Sequence, residues 1–381
     1  MILPDELDAK AVLLLQSLCA PEGIHASSST TANYRAIFAR DAVMAGIAGL
    51  LLNDRVVSEG LVHTLEHLRE LQGPEGQIAS NFELRGTEPP HVSFGTLAPR
   101  IDAATWYLVG VALATRAKVL DPSMFRASVA RVVHLLSALE YNGRHLMYIP
   151  PGGNWADEYI YEGYILYDQV LRAWGLRLLA SIYGEPQWAA KSERIAQSIA
   201  ERYGPIEDER AYPIASFSPL GVRNTFDLAA CALLGVSGVA PELGRLSISW
   251  IDGHFLTHGA LPPAFFPVID EQHPEWPALR RYHLHAFRNL PHEYHNGGIW
   301  PIWLGWLGLA AVQCGRLDVL ASLRKQLAAA LRAHPHFAFE EFLHGKTGEP
   351  GGTPGMAYSA TGLLFLAHAD TEASRRLLWG A

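Results

Sequence analysis

The sequence predicts an all-α fold, a single (α/α)6 barrel with long active-site loops at one end. Three observations predict it. Apolar residues recur at three- and four-residue steps along most of the chain, which is the period of helices. The helices alternate between two kinds, one apolar nearly all round and one apolar on a single face. The all-apolar kind begins again roughly every 60 residues, with one longer gap of about 75, as a repeated helix-pair unit would. A helix apolar on every side has to be buried on every side. Six such helices therefore make an inner ring, and their amphipathic followers an outer one.

Taken in order, the helix Asp5–Cys19, "DELDAKAVLLLQSLC", has no all-apolar partner and is expected to cap the outside, with residues 1–32 as lead-in. Inner helices are expected to start near Asp41, Asp102, Tyr161, Thr225, Gly298 and Gly355. "DAVMAGIAGLLL", "DAATWYLVGVALAT" and "IWLGWLGLAAVQC" show the unbroken apolar surface that places them inside. Outer helices are expected near Ser58, Ser123, Lys191, Pro241, Leu317 and Thr371, each with charges on one face. Gly/Pro-rich segments at 73–99, 148–154, 204–224, 254–292 and 345–355 separate them and are too long for idle turns. No alternating β-branched run is long enough to suggest a sheet of any size. No Pro/Gly/Ser linker divides the chain, so residues 1–381 read as one domain.

Composition narrows the function classes. The chain has 381 residues, 49% of them hydrophobic, ample for a large core. A formal net charge of −8 without a basic patch argues against a nucleic-acid partner. No apolar run reaches the roughly 18 residues of a membrane span, and "MILPDELDAK" shows no basic region followed by an apolar stretch, so no secretion signal is expected. Cys19, Cys231 and Cys314 lie far apart in helical patterns and read as buried thiols in a reducing, cytoplasmic setting. No ligand spacing supports a metal, and no P-loop or Rossmann fingerprint supports a nucleotide cofactor, so neither is expected. The expected partner is a small sugar; a homo-oligomer stays open. Ten Trp and fourteen Tyr fit a sugar, which aromatic faces often hold.

In a ring of parallel inner helices, the polar strings ahead of them meet at one end. "YRAIFARD", "TLAPRID", "NWADEYIYEGY", "VRNTFD", "HEYHNGGIWP" and "GTPGMAYSA" are those strings. Asp102 stands where "LAPRI" turns into an apolar helix; it reads either as an N-cap or as a general acid in an apolar mouth. Glu341, in "FAFEEFLHGKTGEPGG", lies between apolar residues in a loop. Only one of Glu340 and Glu341 can face inward if that stretch is extended. Cleaving a glycosidic bond takes two such carboxyl groups, one giving a proton and one activating water or attacking. Arg40 and Asp41, heading a buried helix, suit a ligand role. Gln77, Trp155, Asp157, His295, Asn296 and Trp300 complete the substrate-binding candidates. "HEYH" lacks the zincin spacing, so His292 and His295 read as hydrogen-bonding walls.

Several strings together resemble a known family. "NYRAIFARDAVMAGIAGLLL", "FGTLAPRIDAATWYL", "NWADEYIYEGYILYDQVL", "PHEYHNGGIWPIWLG" and "EEFLHGKTG" resemble, in order and spacing, the glycoside hydrolase family 100 alkaline/neutral invertases. Family 63 glucosidases and trehalases are wider relatives on the same barrel. The likeness runs from about Asn33 to His368. It implies an inverting hydrolase with Asp102 as acid and Glu341 as base, Arg40 and Asp41 as a sugar-binding pair, and Trp155, Asp157, His295, Asn296 and Trp300 lining the site. The pattern departs from the invertases after Asp102, where Ala-Ala-Thr replaces Ser-Gly-aromatic, and after Glu341, where Phe342-Leu343-His344 follow. The expected activity is hydrolysis of a small α-linked disaccharide or glycoside, with sucrose the first to try. A sugar epimerase of the N-acylglucosamine 2-epimerase type, working through histidines, and a non-catalytic sugar-binding protein are the alternatives.

Overall fold

The computed structural model describes residues 5–29, 34, 36–96, 98–141, 143–206, 211–281, 283 and 286–380. Parts of the expected lead-in (1–4 and 30–32) and the start of the family likeness at Asn33 lie outside them. The chain is mostly helical, with fourteen helices among the described residues. They are α1 (Asp5–Leu18), α2 (Ala39–Leu52), α3 (Arg55–Glu70), α4 (Asp102–Arg116), α5 (Arg126–Ala138), α6 (Leu166–Tyr183) and α7 (Pro186–Arg202). There follow α8 (Leu228–Ser237), α9 (Pro241–His254), the short α10 (Trp276–Leu279), α11 (Pro301–Gln313), α12 (Leu317–Ala333), α13 (Ala357–His368) and α14 (Glu372–Trp379).

The six all-apolar segments are α2, α4, α6, α8, α11 and α13. Contacts run from α2 to α4, α6, α8, α11 and α13, and from α13 back to α2. Burial follows the composition. Every residue of α8 is buried, and α11 is buried from Pro301 to Ala311. Prolines at the first position start α7, α9 and α11, where a missing N–H costs nothing. Side chains of Asp54, Asp227 and Thr371 cap α3, α8 and α14 by accepting from Val57, Ala230 and Ser374 N–H. Two glycines let α11 and α13 touch backbone to backbone: a Cβ on Gly362 would lie 2.2 Å from the Pro301 carbonyl oxygen, and one on Gly305 2.4 Å from that of Gly362. Inside the ring, Trp106, Trp174 and Phe365 surround Trp306, with centroids 5.5, 6.1 and 4.7 Å from its ring, and fill the core.

Two expectations are corrected. The first helix is no spare cap, and the last is no outer one. α1 lies against α13 and α3, in an outer place, whereas α14 sits under α2 and α4. There Arg116 donates to the carbonyls of Leu377 and Leu378 (2.9 and 3.0 Å), and the Trp379 indole donates to that of Val236 (2.9 Å). Short antiparallel sheets also exist. Most are two- or three-residue pairings at the starts of inner helices, such as Ile37–Phe38 ahead of α2, Tyr164–Ile165 ahead of α6 and Phe226–Asp227 ahead of α8. The longest is a hairpin, Asn81–Arg85 with Glu88–Ser93, joined to Ile37–Phe38. These pairings satisfy backbone groups where the loops dive into the ring.

Candidate active site

The polar strings do converge. Residues at the starts of α2, α4 and α13, and in the loops before α6, α11 and α13, line one cavity of about 330 Å³. Of the expected site residues, Arg40, Asp41, Asp102, Trp155, Asp157, His295, Trp300 and Glu341 line it. That volume lies in the range of small-molecule pockets.

Asp102 is the first residue of α4 and 2% exposed, but it does not act as an N-cap. Its Oδ2 accepts from Arg40 Nη1 at 2.9 Å and from the Tyr167 hydroxyl at 3.5 Å, and Tyr167 is itself fixed by the Trp106 indole at 2.7 Å. Arg40 also lies 3.3 Å from Asp41 Oδ2, and its guanidinium faces the Tyr358 ring. Burial pushes the Asp41 carboxyl above its ordinary value; Arg40 opposes this, and Asp102 adds to it.

Glu341 stands on the wall before α13. The Tyr34 hydroxyl donates to Oε1 at 2.7 Å, and the Thr353 N–H donates to Oε2 at 2.9 Å. Neither donor is a cation. Glu341 is the one that faces the cavity: Glu340 turns outward, where its Oε2 accepts the Ala338 N–H at 2.8 Å. Gly352 makes room for the Glu341 carboxylate. A Cβ there would lie 2.4 Å from Oε2, and the residue has φ +82°.

On the third wall, Asp157 accepts from Arg100 Nη2 at 2.5 Å. Burial alone would raise its carboxyl, but the Arg100 guanidinium holds it below the usual range. Burial depresses His295 to about 3, so its ring is neutral. It lies between Trp155 and Trp300, edge-on to one (5.0 Å) and stacked with the other (5.5 Å). Glu158 is paired with Arg288, which also covers the Tyr294 ring at 3.9 Å.

Two expected site residues lie elsewhere. Asn296, fully buried, is absent from the cavity wall. Its amide clamps the backbone of Ile269, accepting its N–H (2.8 Å) and donating to its carbonyl (2.7 Å), and also donates to the Asn289 carbonyl. Gln77 closes a local turn, its Oε1 accepting the Glu75 N–H at 3.0 Å. Residue patterns passed over Tyr34, Arg100, Arg288 and Tyr358, which line the cavity. Arg100 and Tyr358 belong to polar strings singled out above, so a charge or ring beside each candidate carboxylate was the available signal. Among the described residues, no group of His, Cys, Asp and Glu could hold a metal ion, and no helix is long and apolar enough to cross a membrane.

No family model matches the chain, and no curated protein matches it in sequence. Solved structures match it in fold. A GH63 mannosylglycerate hydrolase from Thermus thermophilus, in complex with glucose, superposes with a TM-score of 0.66 at 14% identity, over 94% of this chain and 99% of that one. Its complex with Tris and D-glycerate gives 0.65 over the same shares, also at 14% identity. A wild-type glycosidase gives 0.64 at 16% identity, over 96% of this chain and 95% of that one. At such identities the likeness is one of fold. None of these three is named as an invertase.

Proposed function

We propose that the chain is an (α/α)6-barrel glycoside hydrolase that cleaves a small, uncharged α-linked disaccharide or glycoside with inversion. One observation carries the reading. Trp155 Nε1, His295 Nδ1 and Arg40 Nε are buried on residues lining one cavity and make no hydrogen bond among the described residues. Unpaired buried groups are costly, and sugar hydroxyls, each both donor and acceptor, satisfy such a set. Aromatic walls and facing carboxylates are the rest of what hydrolysis needs.

In this reading Glu341 is the base. Tyr34 and Thr353 hold its two oxygens without neutralising it, so it remains able to take a proton from water. The sequence assigns the proton donor to Asp102. A second reading assigns it to Asp157, whose side chain is 21% exposed against 2% for Asp102; in that reading the bound sugar has to loosen the Arg100 pair that holds this carboxyl low. A general acid has to be reloaded from water in each cycle, so Asp102 would then orient Arg40 toward the sugar. Among the described residues, five carboxyl groups line the cavity (Asp41, Asp102, Asp157, Glu158 and Glu341) against three guanidiniums (Arg40, Arg100 and Arg288), each already paired. That balance disfavours an anionic aglycone such as glycerate and supports a neutral one. The epimerase alternative needs a histidine that accepts protons, and His295 resists protonation until about pH 3; His292 is not on the cavity wall.

The test is a panel of sucrose and other neutral α-glycosides beside mannosyl- and glucosylglycerate, with products followed by anomer-resolved NMR. Two sugars released with inverted configuration, faster from neutral substrates, is the expected result. An isomer as sole product, or retention, would overturn it. Asp102→Asn and Asp157→Asn decide the donor: the true donor's variant keeps activity on substrates with activated leaving groups and loses it on unactivated ones.

A further inference from the structure

We propose that Asp168, on α6 beneath the cavity, is a positioning residue that sets Trp155 and Asp157 through Asn154. The hydrogen bonds trace the route. Asp168 Oδ2 accepts from Asn154 Nδ2 at 2.9 Å. Asn154 in turn fixes the loop above it: its Oδ1 accepts the Ala156 N–H at 3.2 Å, and its carbonyl accepts from Arg100 Nη1 at 3.1 Å. The other arm of Arg100 holds Asp157, and Ile101 N–H donates to Gly153 at 2.7 Å, which ties the same loop to the start of α4. On its far side Asn154 donates to the Tyr161 hydroxyl (3.1 Å), which donates to Asp227 Oδ2 (3.5 Å), the cap of α8. The chain Asp168–Asn154–Tyr161–Asp227 thus ties α6 and α8 together through one loop.

Both ends of that chain are carboxyl groups, and neither meets a cation. Asp168 is 0% exposed, and its Oδ1 has no hydrogen-bond partner among the described residues. The titratable groups that face it are Asp102 from α4, Asp227 from α8, Tyr161 from the loop and Tyr203 at the end of α7. A charge there would be desolvated and repelled by two further carboxyls. Burial pushes Asp168 well above the usual carboxylate range, so it works as a neutral hydrogen-bonding group. A fully buried carboxyl group on the third residue of this inner helix has no part in the proposed chemistry; fixing Asn154 accounts for it.

The activity arm of the test rests on the glycosidase reading; the spectroscopic arm does not. Asp168→Asn keeps the planar neutral group and its acceptor, so kcat should stay within about threefold of wild type, since little geometry changes. Asp168→Leu removes the acceptor, and kcat should fall on the order of 100-fold through misplaced site groups. The indole ¹⁵N–¹H signal of Trp155, assigned with Trp155→Phe, should move in Asp168→Leu and hold still in Asp168→Asn. Should Asp168→Leu fail to fold, Asn154→Ala cuts the same link from the loop side and is read by the same two measures. Equal loss of kcat in Asp168→Asn and Asp168→Leu would overturn the proposal, because charge would then be the requirement. A folded Asp168→Leu or Asn154→Ala protein with an unshifted Trp155 signal would overturn it too. If the wild-type protein releases no sugar from any glycoside of the panel, the glycosidase reading fails, and the Trp155 signal still decides the role of Asp168.

Discussion

Gly352→Ala is the sharpest perturbation of the proposed base. The added Cβ would sit 2.4 Å from Glu341 Oε2, 2.8 Å from its Cβ and 3.1 Å from its Cδ. The carboxylate has to move, and its bond from the Thr353 N–H is lost or bent. A hydrogen bond to a charged group is worth about 1.5–3 kcal/mol; if that is lost in the transition state, kcat falls roughly 10- to 150-fold. The substitution also costs about 1–2 kcal/mol of stability, because alanine is strained in the left-handed region. Gly348→Ala separates the two effects. Gly348 has φ +76° but only the His334 ring within reach, at 3.6 Å. Both variants should lose a few degrees of Tm in differential scanning fluorimetry, and only Gly352→Ala should lose turnover on the best substrate of the panel. Equal kcat for the two variants would refute the placement of Glu341 as the base.

Tyr34→Phe removes the 2.7 Å donor to Glu341 Oε1 and should lower kcat about tenfold or more with a small change in KM, by the worth of a charge-assisted bond; initial-rate kinetics check it. Arg100→Met acts through Asp157, whose carboxyl Arg100 holds low. A depressed carboxyl stabilises the fold above its unfolded pKa, and that contribution is lost as pH falls through the folded value. The Tm of Arg100→Met should therefore lie below wild type at neutral pH and converge with it in acid. Asp227 has the opposite sign: burial raises it from 3.8 to about 7, so its contribution is full below the unfolded value and is lost as pH rises toward 7. Asp227→Asn, which keeps a good cap for α8, should flatten the fall of Tm between those values.

The inner helices were legible because being apolar all round has a single structural meaning. The roles of α1 and α14 were not. An amphipathic face says that a helix packs, without saying against what, and only the ring decides that α1 lies on α13. The hairpin at 81–93 escaped notice because "NFELRGTEPPHV" alternates over too few residues to stand out from a Gly/Pro-rich loop. Within the site, the string "HNGG" placed one residue correctly and one wrongly. His295 faces the cavity and Asn296 clamps Ile269, because an irregular loop has no period from which to read direction. At Glu340 and Glu341 an expected period of two said that one faces inward and not which, and the chain there bends instead, with Phe339 at φ +59°. Tyr34 and Arg288 escaped because their partners come from segments far away along the chain.

The contact between α1 and α13 fixes when this protein can become itself. The outer layer over α13 is complete only when α1, hundreds of positions earlier in the sequence, packs against it. Until then α1 shows the apolar side chains of Ala11, Leu15 and Leu18 with little to cover them. Neighbouring helix pairs can dock early, but closure joins residues hundreds of positions apart, the kind of pairing that slows folding. Nascent chains ending before Ala357 should therefore be protease-sensitive and prone to associate through that exposed seam, and should become resistant once α13 has emerged.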